Sequence, residues 1–350
     1  MKHTISGVTV GAALTLAAMF GGTFLSGQQD EVAKARADAA THLAAAKAAG
    51  SEMWPGLLSN LCDAADLAVT GKPAPAPPPP SPYERSDPRD WYRNDPVKMF
   101  DNFYMFSTKG GRWNGTTVYA VKTSGGIVLL DTSYEYAYKG EVDDGMRKLG
   151  LNPSDVKAAF ITHGHGDHFG GAKILQELYN TRIYASEKDW ALMLSGTQTA
   201  GGDPPPPKKD LVATDMMKYT LGDTTITVVH TPGHTDGTIS FLIPVTIKGQ
   251  PHMAALWGGT AISPNTAPEK LKEFSASVTR FKELVKQNKV DIMLSNHEAF
   301  GRYIGQVQKM RANPNGPNPF LVGPDGVLRF LTVLDECSQA NAAAGKLPKP

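Results

Sequence analysis

The strongest constraint on the fold is a cluster of three histidines and one aspartate that directly follows a short apolar strand. The segment VKAAFITHGHGDHFGG places His163, His165, Asp167 and His168 within six positions. The intervening glycines let the backbone turn tightly, so several side chains can point at one place. Imidazole and carboxylate groups suit zinc, whereas three imidazoles packed without a metal would repel one another once protonated. We therefore expect a metal centre at the end of this strand.

Two later segments offer further ligands. TPGHT, residues 231–235, follows the strand TITVVH and contains His234, and SNHE, residues 295–298, follows the strand DIML and contains His297. Loops at strand ends often collect catalytic groups, so we expect both histidines to join the first cluster and to allow two ions to bind. His230, four residues before His234, is predicted to pack or hydrogen-bond within its strand.

The remaining pattern alternates strands and helices in two successive halves, which predicts sheets packed together with helices outside. The segment PEKLKEFSASVTRFKELVKQN is predicted to form a long amphipathic helix, with an apolar stripe at Leu271, Phe274, Val278, Phe281 and Val285. Residues 28–70 are also predicted to be helical, and the proline-rich stretch 71–82 is predicted to be an extended spacer.

The ordered motifs HGHGDH, PGHT and SNH resemble the metallo-β-lactamase fold superfamily, over roughly residues 98–335. The resemblance implies an α/β fold, an αββα four-layer sandwich of two mixed β-sheets flanked by helices, with the metal site at one edge. It also implies two Zn²⁺ ions per chain. By position, one ion would be held by His163, His165 and His234, and the other by Asp167, His168 and His297.

The segment 256–263 indicates which branch of the superfamily the chain resembles. Related thioesterases, lactonases and nucleases usually carry a bridging aspartate here, and two β-lactamase subclasses carry a cysteine, whereas this chain reads LWGGTAIS. The chain is thus most similar to subclass B3, with Thr260 as the hydroxyl residue at the bridging position.

The resemblance implies a zinc-dependent hydrolase of B3 β-lactamase type, in which a metal-bridging hydroxide opens an amide or ester ring. Asp167 would orient the nucleophile and pass a proton to the leaving group, and Thr260, Asn296 and Trp113 are expected to contact the small-molecule substrate. A lactonase, esterase or thioesterase on the same metal site is the alternative. An inactive binding or scaffold protein is a third hypothesis.

Two further features leave alternatives open. Asp131, at the end of the strand GIVLLD, either orients a ligand histidine or caps the following turn. The loop Lys109–Gly115, which contains Arg112 and Trp113, is either a lid over the substrate or a surface hairpin.

The N-terminus has the pattern of a secretory signal peptide. Lys2 is the only charged residue before Asp30, and the stretch between them is uncharged and mostly apolar. We expect cleavage of residues 1–27 and a periplasmic or secreted protein, with a retained anchor as the alternative. In an oxidising compartment Cys62 and Cys337 are expected to form a disulfide.

The charge balance bears on possible binding partners. The chain has 35 basic and 34 acidic residues, and cleavage would remove one lysine. This balance gives no electrostatic case for nucleic-acid binding or for stable membrane association. The expected organisation is a signal peptide at 1–27, a helical extension with a Pro-rich linker at 28–96, and a catalytic domain at 97–345. The oligomeric state is left open.

Overall fold

The computed structural model describes residues 13–72, 95–108, 115–197, 203–301 and 303–348, with side chains described from residue 28 onward except at position 304. Several predicted features lie outside these residues: positions 1–12 of the leader, most of the proline-rich linker, and Arg112 and Trp113 of the predicted lid loop.

Two mixed β-sheets form the centre of the molecule. The first has seven strands in the order β1-β2-β3-β4-β5-β6-β7, and the second has five in the order β12-β11-β10-β9-β8. Pairing is antiparallel from β1 to β4 and from β8 to β11, whereas β4 to β7 and the β11–β12 pair are parallel. The strands are β1 Val97–Phe100, β2 Phe103–Ser107, β3 Thr117–Thr123, β4 Gly126–Leu130, β5 Val156–Phe160, β6 Arg182–Ala185, β7 Leu211–Val212, β8 Lys218–Leu221, β9 Thr224–His230, β10 Ile239–Ile247, β11 Gln250–Trp257 and β12 Ile292–Ser295.

Helices cover the outer face of each sheet. Helices α3 to α7, which connect strands of the first sheet, pack against that sheet. Helices α1, α2, α8 and α11 pack against the second sheet. The helices are α1 Ala13–Gly50, α2 Pro55–Thr70, α3 Glu135–Tyr138, α4 Asp144–Lys148, α5 Gly166–Phe169, α6 Ala172–Tyr179, α7 Glu187–Leu194, α8 Pro268–Gln287, α9 Glu298–Gly301, α10 Tyr303–Ala312 and α11 Gly323–Ala344. A π-turn at Lys139–Asp143 joins α3 to α4, and a 3₁₀ turn at Pro153–Asp155 precedes β5.

Three apolar cores hold these layers together. One lies between the two sheets, where Phe103, Tyr119 and Phe160 of the first sheet meet Phe241 and Leu294 of the second. The other two lie between each sheet and its helices. Burying apolar area in this way is the main favourable contribution to folding. The arrangement confirms the αββα sandwich that the resemblance implies.

The apolar stripe predicted on α8 is the face by which this helix packs against the protein. All five stripe residues are buried against the second sheet and α11. Trp257, at the end of β11, is held edge-on between Phe274 and Phe281, with ring centroids 5.5 Å from each. This packing fixes the end of β11, from which the chain enters the site.

The N-terminal extension is helical, as predicted for residues 28–70. A break at Ser51–Trp54 divides it into α1 and α2. Pro55 starts α2 at a position where its missing N–H costs nothing, and Trp54 turns inward to donate its indole N–H to the Gly326 carbonyl at 2.9 Å. The two helices can then fold back against α11.

A disulfide fastens this extension to the last helix. Cys62 on α2 and Cys337 on α11 are bonded across 275 residues of sequence, which confirms the predicted pairing. Among the residues that the structure describes, no helix combines the length and hydropathy needed to cross a membrane.

Candidate metal centre

The predicted ligands come together at the ends of strands from both sheets. His163, His234 and His297 follow β5, β9 and β12, and Asp167 and His168 lie on the short helix α5. The six candidate ligands form two groups, each with its donor atoms within 4.8 Å of one another: His163, His165 and His234 in the first, and Asp167, His168 and His297 in the second.

In the first group the hydrogen bonds assign the protonation of two rings. Nδ1 of His163 lies 2.8 Å from the Gly258 carbonyl, and Nδ1 of His234 lies 2.7 Å from the Ala261 carbonyl. A carbonyl only accepts, so each Nδ1 carries the proton and each Nε2 is left with a bare lone pair. These two Nε2 atoms are 3.1 Å apart, and Nδ1 of His165 lies 3.2 Å from the Nε2 of His234.

This convergence of lone pairs fits a cation. Neither the His163 Nε2 nor the His234 Nε2 carries a hydrogen, so their short separation cannot be a hydrogen bond, and burial makes unpaired polar atoms costly. Burial lowers the pKa of His163 well below its usual value, that of His165 to about 3 and that of His234 to about 4. The three rings therefore stay neutral near pH 7, which is the form that binds metal.

The second group combines two imidazoles and a carboxylate. Nε2 of His168 lies 3.2 Å from Nε2 of His297 and 3.4 Å from Oδ2 of Asp167. Oδ1 of Asp167 is buried and has no hydrogen-bond partner in the part of the chain that the structure describes. Burial favours the neutral acid, but the adjacent His168 outweighs it and holds the pKa of Asp167 well below its usual value.

Without a bound ion, His168 is the protonated residue among Asp167, His168 and His297. Burial opposes its charging, yet the carboxylates of Asp167 and Asp131 outweigh that cost and raise its pKa to about 10. Burial lowers the pKa of His297 to about 3. A cation bound here would take the place of the proton on the Nε2 of His168. Two imidazoles and a carboxylate, like three imidazoles, are donor sets that zinc accepts.

Asp131 orients His168, which decides between its two predicted roles. Its Oδ2 lies 2.8 Å from the Nδ1 of His168, and its two carboxylate oxygens also accept from the amide and hydroxyl of Thr162 at 2.7 and 2.8 Å. Asp131 adopts a left-handed backbone conformation with φ of 65°, which is uncommon for a residue with a Cβ. The strained turn directs the carboxylate into the site.

Asn296 supports the site from behind. It is completely buried, and its Nδ2 donates to the Gly258 carbonyl at 2.6 Å and to the Thr162 hydroxyl at 2.9 Å. Gly258 must be glycine, because a Cβ there would lie 1.8 Å from the Ile239 carbonyl oxygen. The amide nitrogen of Asn296 thus holds the backbone under His163, and the expected substrate contact of this residue stays a prediction.

The other predicted positions have mixed outcomes. Thr260 is buried three residues after the end of β11, with its hydroxyl 3.2 Å from that of Ser295. His230 bonds within the protein as predicted, through Nε2 to the Ala213 carbonyl at 2.9 Å. Trp113 lies outside the described residues, so its substrate contact stays a prediction.

Sequence reasoning missed the roles of Thr162 and Asp189. Thr162 precedes the first ligand and links Asp131 to Asn296 through its hydroxyl. Asp189 sits in the pattern Ser186-Glu-Lys-Asp189, which is typical of a helix N-terminus, so the sequence offers a complete local explanation for it. Only the fold shows where its carboxylate points.

Comparison with known proteins agrees with this geometry. Residues 111–246 match the family model of the metallo-beta-lactamase superfamily. The fold is similar to that of BJP-1, a subclass B3 metallo-beta-lactamase of Bradyrhizobium japonicum, with a TM-score of 0.59 and 26% identity over 69% of this chain and 92% of that chain.

Residues 111–246 form a domain of the metallo-β-lactamase superfamily.

Curated relatives match this chain only in part. A hydroxyacylglutathione hydrolase of Francisella tularensis subsp. novicida is 28% identical over 162 residues, covering 45% of this chain and 55% of that protein. An atrochrysone carboxyl ACP thioesterase of Claviceps purpurea is 28% identical over 173 residues, covering 48% of this chain and 47% of that protein. The chain thus spans about half the length of these relatives.

Proposed function

We propose that this protein is a dizinc hydrolase of small molecules and that its substrate is a β-lactam, as in subclass B3. The observation that carries the hydrolase proposal is the pair of donor groups, in which bare imidazole nitrogens and a buried carboxylate oxygen converge. The B3 assignment is supported by the similarity to BJP-1 and by Thr260 at the position where other branches carry a bridging acid or cysteine.

Each group of residues would hold one zinc ion. When bound, the ions would lower the pKa of a coordinated water and polarise the substrate carbonyl. The chain supplies the orientation: the Gly258 and Ala261 carbonyls fix the tautomers of His163 and His234, and Asp131 fixes that of His168. Partners of this kind set ring orientation and ligand basicity.

Asp167 would transfer the proton from the attacking water to the leaving group. Opening a cyclic amide needs a water to attack the carbonyl carbon, the C–N bond to break, and a proton to reach the departing nitrogen. Asp167 stays ionised near neutral pH and offers Oδ1 as an acceptor without a competing hydrogen bond. A carboxylate in this state can accept the proton of the water and pass it to the nitrogen.

A second candidate is hydrolysis of a thioester or ester at the same groups. It is favoured by the two curated relatives, one of them named as a thioesterase. The same residues serve either reaction, because an acyl carbonyl is attacked in both and only the leaving group differs. The residues around the two donor groups would then determine whether a β-lactam or a thioester or ester is bound.

The deciding experiment is a substrate panel on zinc-loaded full-length protein. We expect turnover of nitrocefin, penicillins, cephalosporins or carbapenems that is abolished by a chelator and by His163→Ala. His252→Ala is the matched control, since this histidine bonds Asp291 away from both groups. Turnover of acyl thioesters or homoserine lactones alone would move the proposal to the second candidate, and inertness toward all of them would contradict a hydrolytic role.

Export is the remaining part of the proposal. The uncharged N-terminal stretch and the disulfide support a leader at residues 1–27 and an oxidising compartment. The N-terminal sequence of the protein recovered from periplasm or medium tests this directly, and we expect a start close to residue 28. Full-length protein found only in the cytoplasm would contradict it.

A further inference from the structure

Asp189 is a buried carboxylate outside both ligand groups. It is the third residue of α7 and only 1% of its surface is exposed. Within the described part of the chain no lysine or arginine forms an ion pair with it. Burying a carboxylate is costly unless hydrogen bonds compensate, so the surroundings of Asp189 must account for its presence.

The cap of α7 does not explain this side chain. The hydroxyl of Ser186 accepts from the backbone N–H of Asp189 at 3.2 Å, which satisfies the helix start without any use of the carboxylate. The carboxylate is directed away from the helix, toward the loops that carry the first ligand group.

Donors from those loops surround the carboxylate. The hydroxyl of Thr235 donates to Oδ2 at 3.0 Å, whereas Oδ1 has no hydrogen-bond partner among the described residues. Burial raises the pKa of Asp189 to about 7, and the Thr235 hydroxyl and the nearby backbone amides of Gly164 and Gly237 act in the opposite direction by stabilising the charge. Gly237 approaches so closely that a Cβ would lie 2.9 Å from the Asp189 Cγ.

The residues around the Asp189 carboxylate are next to candidate ligands in the sequence. Gly164 lies between His163 and His165, and Thr235 directly follows His234. Thr235 is itself fixed, because its amide donates to the Thr238 hydroxyl at 3.0 Å and the two hydroxyls are 2.7 Å apart. One carboxylate therefore joins the two loops that carry all three members of the first group.

We propose that Asp189 is a positioning residue for the His163–His165–His234 group, holding its two loops at the separation that lets the three ring nitrogens converge. The inference rests on the proposed function only in taking this group to be a zinc site. Asp189 acts through backbone amides and Thr235, and it touches neither the substrate nor the ion. Its removal would let the loops separate and would weaken metal binding at the first group before the second.

Zinc affinity, measured by competition with a chelator on the full chain, tests this without any substrate. His234→Ala and His297→Ala identify which binding step belongs to which group. We expect Asp189→Ala to weaken the step lost in His234→Ala by about tenfold or more, and to change the step lost in His297→Ala by less than about threefold. Asp189→Asn, which can still accept from Thr235, should retain more affinity than Asp189→Ala, and Thr235→Val should weaken the same step.

Asp143→Ala is the matched control. Asp143 is also a buried carboxylate, but it accepts from the hydroxyls of Tyr138 and Tyr179 and contacts neither ligand loop. We expect this variant to lose stability while keeping both zinc affinities. Equal weakening of both steps in Asp143→Ala and Asp189→Ala, or unchanged affinities in Asp189→Ala, would overturn the inference.

The outcomes separate this inference from the proposed function. A wild-type protein that binds two zinc ions but turns over no substrate contradicts the function alone, while the affinities of the Asp189 variants still decide the inference. A wild-type protein that binds no zinc contradicts both.

Discussion

Oδ2 of Asp131 lies 2.8 Å from Nδ1 of His168, and both side chains are buried. The same carboxylate holds the amide and hydroxyl of Thr162, the residue before His163. Asp131 thus fixes the tautomer of a ligand in the second group and the backbone that leads into the first. Asp131 directly follows β4 in a strained left-handed backbone conformation, and this conformation directs its carboxylate toward His168 and Thr162.

Asp131→Asn should weaken zinc binding more at the second group than at the first. The amide oxygen can replace only one of the carboxylate's acceptors, so His168 loses its fixed orientation and its basicity falls. Changes to such partners cost about 10- to 100-fold in metal affinity. Chelator competition on the variant measures this. Asp210→Asn is the control, because Asp210 pairs with Arg182 and accepts from the Ile183 amide, and it bonds to no candidate ligand. An unchanged second affinity would show that Asp131 serves the turn alone.

The metal-free protein should lose stability on acidification through its candidate ligands. Burial lowers the pKa of His165 from 6.5 to about 3, so below pH 6.5 the unfolded chain binds a proton there that the folded chain does not. Stability therefore falls as the pH drops from 6.5 toward 3. At pH 5 this single imidazole costs about 2 kcal/mol.

The comparison of wild-type protein with His165→Asn isolates that contribution. Unfolding by urea in the presence of chelator, at pH 7 and at pH 5, gives the change in unfolding free energy for each. Asp189 and Glu141, whose pKa values burial raises, titrate in both proteins and cancel. We expect the wild-type protein to lose about 2 kcal/mol more than the variant over this interval. Equal losses would mean that His165 is solvated in the metal-free state.

The sequence predicted the ligand groups well because each ligand follows an apolar strand within a short motif. His234 and His297 could be assigned because strand ends in such a sandwich meet at one edge. The disulfide was predictable because the chain contains only Cys62 and Cys337. In each case the decisive information is local, or follows from a very small number of choices.

The supporting contacts could not be predicted because their partners are distant in sequence. Asn296 bonds Thr162 across 134 residues, and Asp189 bonds Thr235 across 46. Nothing in the local pattern separates an asparagine that faces a substrate from one that holds a carbonyl. The contact at the break between α1 and α2 is also distant in sequence, since Trp54 turns inward to reach Gly326 on α11.

Removing the disulfide should destabilise the attachment of the N-terminal helices. The bond closes a loop of 275 residues, and the chain-entropy model gives about 5.6 kcal/mol as an upper value for so long a loop. We expect Cys62→Ala with Cys337→Ala to lower the unfolding free energy by about 2–5 kcal/mol in urea. Zinc affinity at the first group should be retained, because His163, His165 and His234 make no contact with α2. Loss of all zinc binding would show that the extension is needed for the whole sandwich to fold.

Phe300 connects this extension to the second ligand group. Its ring is buried in the core formed by α1, α2 and α11, and it lies edge-on to His297 with centroids 5.5 Å apart. Phe300→Leu should keep most of the apolar burial, at a cost of about 1 kcal/mol, but should remove the surface against which the imidazole is held.

Phe330→Leu is the control for that substitution, because Phe330 lies in the same core against Trp54 and away from His297. We expect the two variants to lose similar unfolding free energy in urea. Only Phe300→Leu should weaken the zinc-binding step that His297→Ala abolishes, by about tenfold or less, since packing constrains a ring more loosely than a hydrogen bond does. Equal zinc affinity in both variants would mean that His297 is positioned by its own loop, and that the extension contributes stability without reaching the site.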